Sequence, residues 1–195
     1  MTLKINKLVF ATKNKNKLAE VTNSLKETGV SLCGIEGDFD PEETGSTFEE
    51  NARIKAFEAA KLMNTPAFGD DSGLVVDALD GRPGVYSSRY AENDLKRIEK
   101  LLEELKNVPQ EKRTARFICA MVVVNPDGEI LYSCQGTCEG IIIDLPKGTK
   151  GFGYDPVFFI PEKNSTMAEL TMDEKNTVSH RGKALKKIIE WLLNK

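Results

Sequence analysis

Short apolar runs alternate with amphipathic stretches along this chain, and the two periodicities take turns. Leu8-Val9-Phe10-Ala11 is continuously apolar and ends at Thr12, which predicts a buried strand. Leu18, Val21 and Leu25 then recur at helical spacing, and Gly29 ends that helix. Residues 30–35 are a second candidate strand. Thr47 and Glu50 stand in capping-box register ahead of a helix that runs to about Leu62. The apolar pair Ala67-Phe68 is broken by Asp70-Asp71-Ser72-Gly73, and extended structure resumes at Leu74-Val75-Val76. Asp80 to Gly84 reads as a turn. Leu95, Ile98, Leu101, Leu102 and Leu105 mark another amphipathic helix. Residues 116–124 and 130–135 flank the turn Pro126-Asp127-Gly128 as a hairpin, with 140–143 extending the same sheet. Leu185, Ile188, Ile189, Leu192 and Leu193 stripe a last helix. The pattern predicts an α/β fold with a mixed sheet, early helices alternating with strands and a hairpin later. No repeat or interdomain linker interrupts it, so residues 1–195 read as one domain.

Composition excludes several function classes. With 27 basic and 30 acidic side chains the net charge is −3, which gives no global attraction to nucleic acid, and no nucleic-acid partner is expected. No apolar run approaches the ~20 residues that span a bilayer, and the N-terminus has no signal-peptide layout. A cytoplasmic protein without membrane contact is the expectation. Of the four cysteines, Cys134 and Cys138 share one face of a candidate strand. There is no second such pair, and the single histidine, His180, lies far away, so free thiols are expected rather than a zinc site.

Four constellations could carry chemistry. The first, Thr12-Lys13-Asn14-Lys15-Asn16-Lys17, follows a buried strand and opens a helix, where exposed N–H groups and ammonium charges suit phosphate. It lacks the P-loop pattern, and a solvated lysine-rich helix start would look the same. The second is the acidic loop Pro41-Glu42-Glu43-Thr44-Gly45, followed by Thr47, Asn51 and Lys55 on one helix face. By itself it reads as a surface loop and surface helix. The third is Asp70-Asp71-Ser72-Gly73, either a polar turn or a source of the hard oxygen ligands that suit Mg²⁺. The fourth joins Gly151-Phe152-Gly153-Tyr154-Asp155-Pro156 to Lys175 and Ser179-His180-Arg181-Gly182. It offers a flat ring between glycines, an acid, and a His-Arg pair behind a Ser179 cap, which is what a purine pocket needs.

In this order the segments resemble the inosine-triphosphate pyrophosphatase family, most closely its bacterial form. The matching pieces are Ala11-Thr12-x-Asn14-x-x-Lys17, Glu42-Glu43-Thr44-Gly45 with Asn51-Ala52, Asp70-Asp71-Ser72-Gly73-Leu74, Gly81-x-Pro83-Gly84-Val85-Tyr86-Ser87, and the two parts of the fourth constellation. The resemblance covers nearly the whole chain. It implies an elongated mixed β-sheet flanked by helices, with two lobes and an active-site cleft between them. It implies a Mg²⁺-dependent homodimer that hydrolyses non-standard purine nucleoside triphosphates (ITP, dITP, XTP) to the monophosphate and pyrophosphate. Carried over position by position, it makes Asp71 the general base and a metal contact, and Glu42 the second metal ligand. Thr12, Lys13, Asn14, Lys15, Asn16 and Lys17 become the triphosphate cradle, with Lys55 reaching the same phosphates. Ser72 becomes a substrate contact. Phe152, Gly153, Tyr154 and Asp155 form the base pocket, where Phe152 stacks, and Lys175, His180 and Arg181 read the base edge.

Donors from His180 and Arg181 would favour the carbonyl at the purine six-position over the amino group of adenine. One departure stands out: Lys150 occupies a place where the family usually has glycine, and a small effect on rate is expected. The alternatives are a related nucleotide pyrophosphatase of different base preference, a phosphatase that releases orthophosphate, and a nucleotide-binding protein without turnover.

Overall fold

The computed structural model describes residues 5–13, 18, 21–22, 24–25, 28–35 and 37–194. Lys7–Phe10 forms β1, whose last three residues are buried. It pairs in parallel with β2 (Ser31–Cys33) on one side and with β3 (Ala67–Val76) on the other. The sheet continues through β4 (Thr114–Val124), β5 (Ile130–Ile142), β6 (Phe158–Ile160) and β7 (Ser165–Thr166), in the order β2-β1-β3-β4-β5-β6-β7. β5–β6 and β6–β7 are antiparallel, so the sheet is mixed, as the pattern predicted. Asn125 builds the turn from β4 to β5: its Oδ1 accepts the N–H groups of Asp127 and Glu129.

The helices are α1 (Phe48–Met63), α2 (Asp94–Leu105), α3 (Met172–Val178) and α4 (His180–Leu193). The predicted capping box at α1 is present: Thr47 accepts the Glu50 N–H and the Glu50 carboxylate accepts the Thr47 N–H. In the helix predicted over 18–25, the described residues Leu18, Val21, Thr22, Ser24 and Leu25 are helical, with Val21 and Leu25 buried.

Three expectations are corrected. Asp70 to Gly73 is not a break, because β3 runs unbroken for ten residues through both acids. Leu95 is 65% exposed, at the second position of α2, and only Ile98, Leu101 and Leu105 of that stripe are buried. Leu193 is likewise exposed at the end of α4. The short helix α3 was not anticipated, since seven mostly polar residues carry no apolar stripe. Its one signal was the capping box of Thr171 with Glu174.

The chain divides into two compact units, and the boundaries fall inside β3, β4, β5 and α4 rather than in linkers. The first takes Met1–Asp71, Cys119–Gly136 and Lys183–Lys195. There the sheet is buried on both faces. Leu8, Phe10, Phe68, Met121 and Val123 pack with Leu185 and Ile188 of α4 on one face. Val9, Ala11, Ala67, Ala120 and Val122 pack with Ala52, Ala56, Ala59 and Ala60 of α1 on the other. Two covered faces explain why β1 and β4 read as continuous apolar runs. The second unit takes Ser72–Ile118 and Thr137–Gly182, and centres on Leu74, Leu101, Leu105, Phe117, Phe158 and Met167. Among the described residues no helix is long and apolar enough to cross a membrane. None of the four cysteines is in a disulfide, and burial pushes the Cys134 thiol up to about 11.

Candidate active site

In the first unit the site begins with a glycine. A Cβ at Gly69 would collide with the Ala52 carbonyl oxygen and crowd the Ala56 N–H, so only glycine lets α1 lie this close to β3. Strand alternation puts Asp71 on the same face as Gly69, against that helix. The close approach brings two α1 side chains to the Asp71 carboxylate. Asn51 is fully buried; its Nδ2 donates to Asp71 Oδ2 at 3.2 Å, and its Oδ1 accepts the Gly45 N–H at 2.8 Å. One amide therefore ties the acidic loop to the strand. Lys55 Nζ lies 2.7 Å from Glu43 Oε1 and 3.5 Å from Asp71 Oδ1. The three side chains are 16%, 21% and 12% exposed, for Lys55, Glu43 and Asp71 respectively. Burial alone would pull the Lys55 ammonium down, but the carboxylates of Asp70, Asp71 and Glu43 outweigh it and hold the group above the usual lysine range.

This geometry overturns the bland reading of the second constellation: Asn51 and Lys55 face a carboxylate cluster, not solvent. It also separates the two loop acids. Glu43 makes the ion pair with Lys55, whereas Glu42 is exposed. Nothing in the spacing distinguished them. Among the described residues no three His, Cys, Asp or Glu side chains converge as a closed metal cage. The donors do fit an open site of one or two carboxylates, the form Mg²⁺ takes where water and phosphate oxygens complete its shell. Ser72, the next residue of β3, is turned to the opposite face from Asp71; its hydroxyl is buried with no hydrogen-bond partner among the described residues, a costly arrangement that a ligand would relieve.

Thr12 and Lys13 follow β1 at its carboxyl end, where ligands gather in α/β sheets. Thr12 is half-buried and its carbonyl accepts the Ile35 N–H, whereas Lys13 is exposed. Asn14, Lys15, Asn16 and Lys17 lie outside the described residues.

The second unit carries the aromatic loop. Gly151 has φ +80°, and a Cβ there would strike the Asp155 carboxylate. That contact exists because buried Asp155 turns back into the loop: its Oδ2 accepts the Phe152 N–H at 3.0 Å and Lys175 Nζ at 2.6 Å. Lys175 comes from α3, and its Nζ stands 5.1 Å from the Phe152 ring centroid. Phe152 is 62% exposed, which leaves a ring face open for stacking. Tyr154 turns the other way, into the core; its hydroxyl donates to the Ser87 carbonyl at 3.0 Å, and burial pushes its phenol well up. Gly153 sits between these two rings.

Ser179 caps α4 as expected, its Oγ accepting the Gly182 N–H at 3.1 Å. His180 is buried and stacks on Phe117 at 4.9 Å, so its ring is fixed in orientation. Arg181 is half-buried in the same first turn. Lys150 Nζ donates to the Glu169 carbonyl at 3.1 Å, which gives the unusual lysine a local partner.

Comparison with known proteins agrees with this architecture. A model of the Ham1 family matches residues 8–191. The dITP/XTP pyrophosphatase of Halalkalibacterium halodurans is 51% identical over 190 residues, 94% of this chain and 97% of its own. A HAM1 protein from Coxiella burnetii superposes with a TM-score of 0.91 at 42% identity, over 98% of this chain and 100% of that one. The Ham1 protein of Staphylococcus aureus gives 0.89 at 41%, over 96% and 98%.

Proposed function

The chain belongs to the Ham1 family, and on that premise we propose that it hydrolyses non-standard purine nucleoside triphosphates such as dITP, ITP and XTP to the monophosphate and pyrophosphate. The observation that carries this reading is the Glu43–Lys55–Asp71–Asn51 cluster, a half-buried cation held between two carboxylates, one of them oriented by a buried amide.

Each residue then has a task. Asn51 fixes one oxygen of Asp71 and so orients the carboxylate as a general base for the attacking water. Lys55, kept protonated by its acidic neighbours, offsets the negative charge of the triphosphate. Thr12, Lys13, Asn14, Lys15, Asn16 and Lys17 hold the phosphates, and Ser72 donates to the substrate. Glu42 and Asp71 would hold Mg²⁺, which supplies charge neutralisation and polarises water when bound. Phe152 stacks on the base, while Lys175, His180 and Arg181 read its edge. Asp155 acts through Lys175, whose ammonium it holds. A homodimer in the cytoplasm, clearing non-standard purines from the nucleotide pool, completes the proposal.

Parallel incubations with ITP, XTP, GTP and ATP in the presence of Mg²⁺ test it. Rapid turnover of ITP and XTP with little of GTP and ATP is expected. Equal turnover of all four would remove the base-reading role, and no turnover would leave a binding protein.

A further inference from the structure

The two peptide planes that flank the Phe152 Cα are each held by a carboxylate from a different segment. The Phe152 N–H donates to Asp155, within the loop. The Gly153 N–H donates to Asp94 Oδ2 at 2.7 Å, and Asp94 lies 59 residues away in sequence. With both planes pinned, φ and ψ of Phe152 are set, and with them the direction of the exposed ring. We propose that Asp94 is a positioning residue for base stacking, an inference that rests on the nucleotide reading above.

The rest of α2 is arranged to hold that carboxylate. Asn93 caps the helix, its Oδ1 accepting the Lys96 N–H at 3.0 Å, so Asp94 falls at the first helical position, where a negative charge is favoured. The other Asp94 oxygen accepts Arg97 Nη1, and Arg97 Nε is itself anchored on the Ala91 carbonyl at 3.2 Å. The rotamer is therefore fixed from two sides before Gly153 is engaged. A charge-assisted bond to a backbone N–H is stronger than a neutral one, and here it acts on the loop rather than on the ligand. The Tyr154 hydroxyl on Ser87 secures the next residue, so the loop is held at 152, 153 and 154 in turn.

The test compares Asp94→Ala, Asp94→Asn and a control, Glu99→Ala, on the exposed side of α2. Two readouts are taken: steady-state kinetics with ITP, and hydrogen exchange of the 150–156 peptide without nucleotide. Asp94→Ala is expected to raise KM by about fivefold with kcat within about twofold, and to speed exchange at Gly153. Asp94→Asn keeps one oxygen for two donors, the Gly153 N–H and Arg97 Nη1, and should give a KM between those of wild type and Asp94→Ala. Glu99→Ala should leave both readouts unchanged. Unchanged KM and exchange in Asp94→Ala would overturn the inference. Absence of turnover in the wild type would instead overturn the nucleotide reading, and the exchange rates would still decide whether Asp94 holds the loop.

Discussion

Asp70 and Asp71 are adjacent and chemically identical, yet their surroundings divide them. Asp71 meets the Asn51 amide and the Lys55 ammonium, because alternation along β3 turns it toward α1. Replacing it by asparagine removes the base while keeping the shape. Turnover of ITP by Asp71→Asn is expected to fall by at least about a hundredfold in steady-state assays. Phe152 contributes differently, through an exposed ring. Phe152→Ala should raise KM by the equivalent of about 1–3 kcal/mol, the worth of one stacked base, with a smaller effect on kcat. Lys55 links the site to stability. Its folded-state pKa is raised, so its charge stabilises the fold fully below the unfolded value of ~10.4 and loses that contribution as pH rises through the folded value. Melting temperature should therefore fall more steeply above about pH 10 in the wild type than in Lys55→Met.

At the scale of elements, the site depends on how closely α1 approaches β3. Alanine at 52, 56, 59 and 60 gives the helix a thin buried face, and Gly69 leaves room for its backbone. Gly69→Ala forces α1 away from backbone atoms that cannot rotate aside, and a loss of about 1–3 kcal/mol in denaturant unfolding is expected. The capping box of α3 is a second case. It holds the short helix that carries Lys175, and Thr171→Ala should cost about 1 kcal/mol in the same measurement. Neither relation follows from hydrophobic periodicity. The Thr47, Asn51, Lys55 spacing put those residues on one face, but only the glycine opposite decides that the face is buried.

Over the whole molecule, β1 to β5 and the longer helices were legible because their apolar patterns reflect cores that cover one or both sheet faces, whereas β6 and β7, of three and two residues, are too short to carry a period and were not read. The run from Leu8 to Ala11 is continuous since alternate residues enter opposite cores of the first unit. The unbroken course of β3 was not legible, because two acids and a glycine inside a strand carry a turn signal, and the partners that make them acceptable come from another element. The same reason hid the difference between Glu42 and Glu43. Asp94 lay outside every motif, since its role depends on a contact across 59 residues. The constellations themselves were legible as residue types in order, and the structure added which of them meet.

The most direct test of the account is a single incubation of ITP and Mg²⁺ with wild type and with Asp71→Asn, measuring pyrophosphate and orthophosphate separately. The account predicts pyrophosphate as the wild-type product and its near-complete loss in the variant. Orthophosphate from the wild type, or pyrophosphate release by Asp71→Asn within a few-fold of wild type, would contradict it.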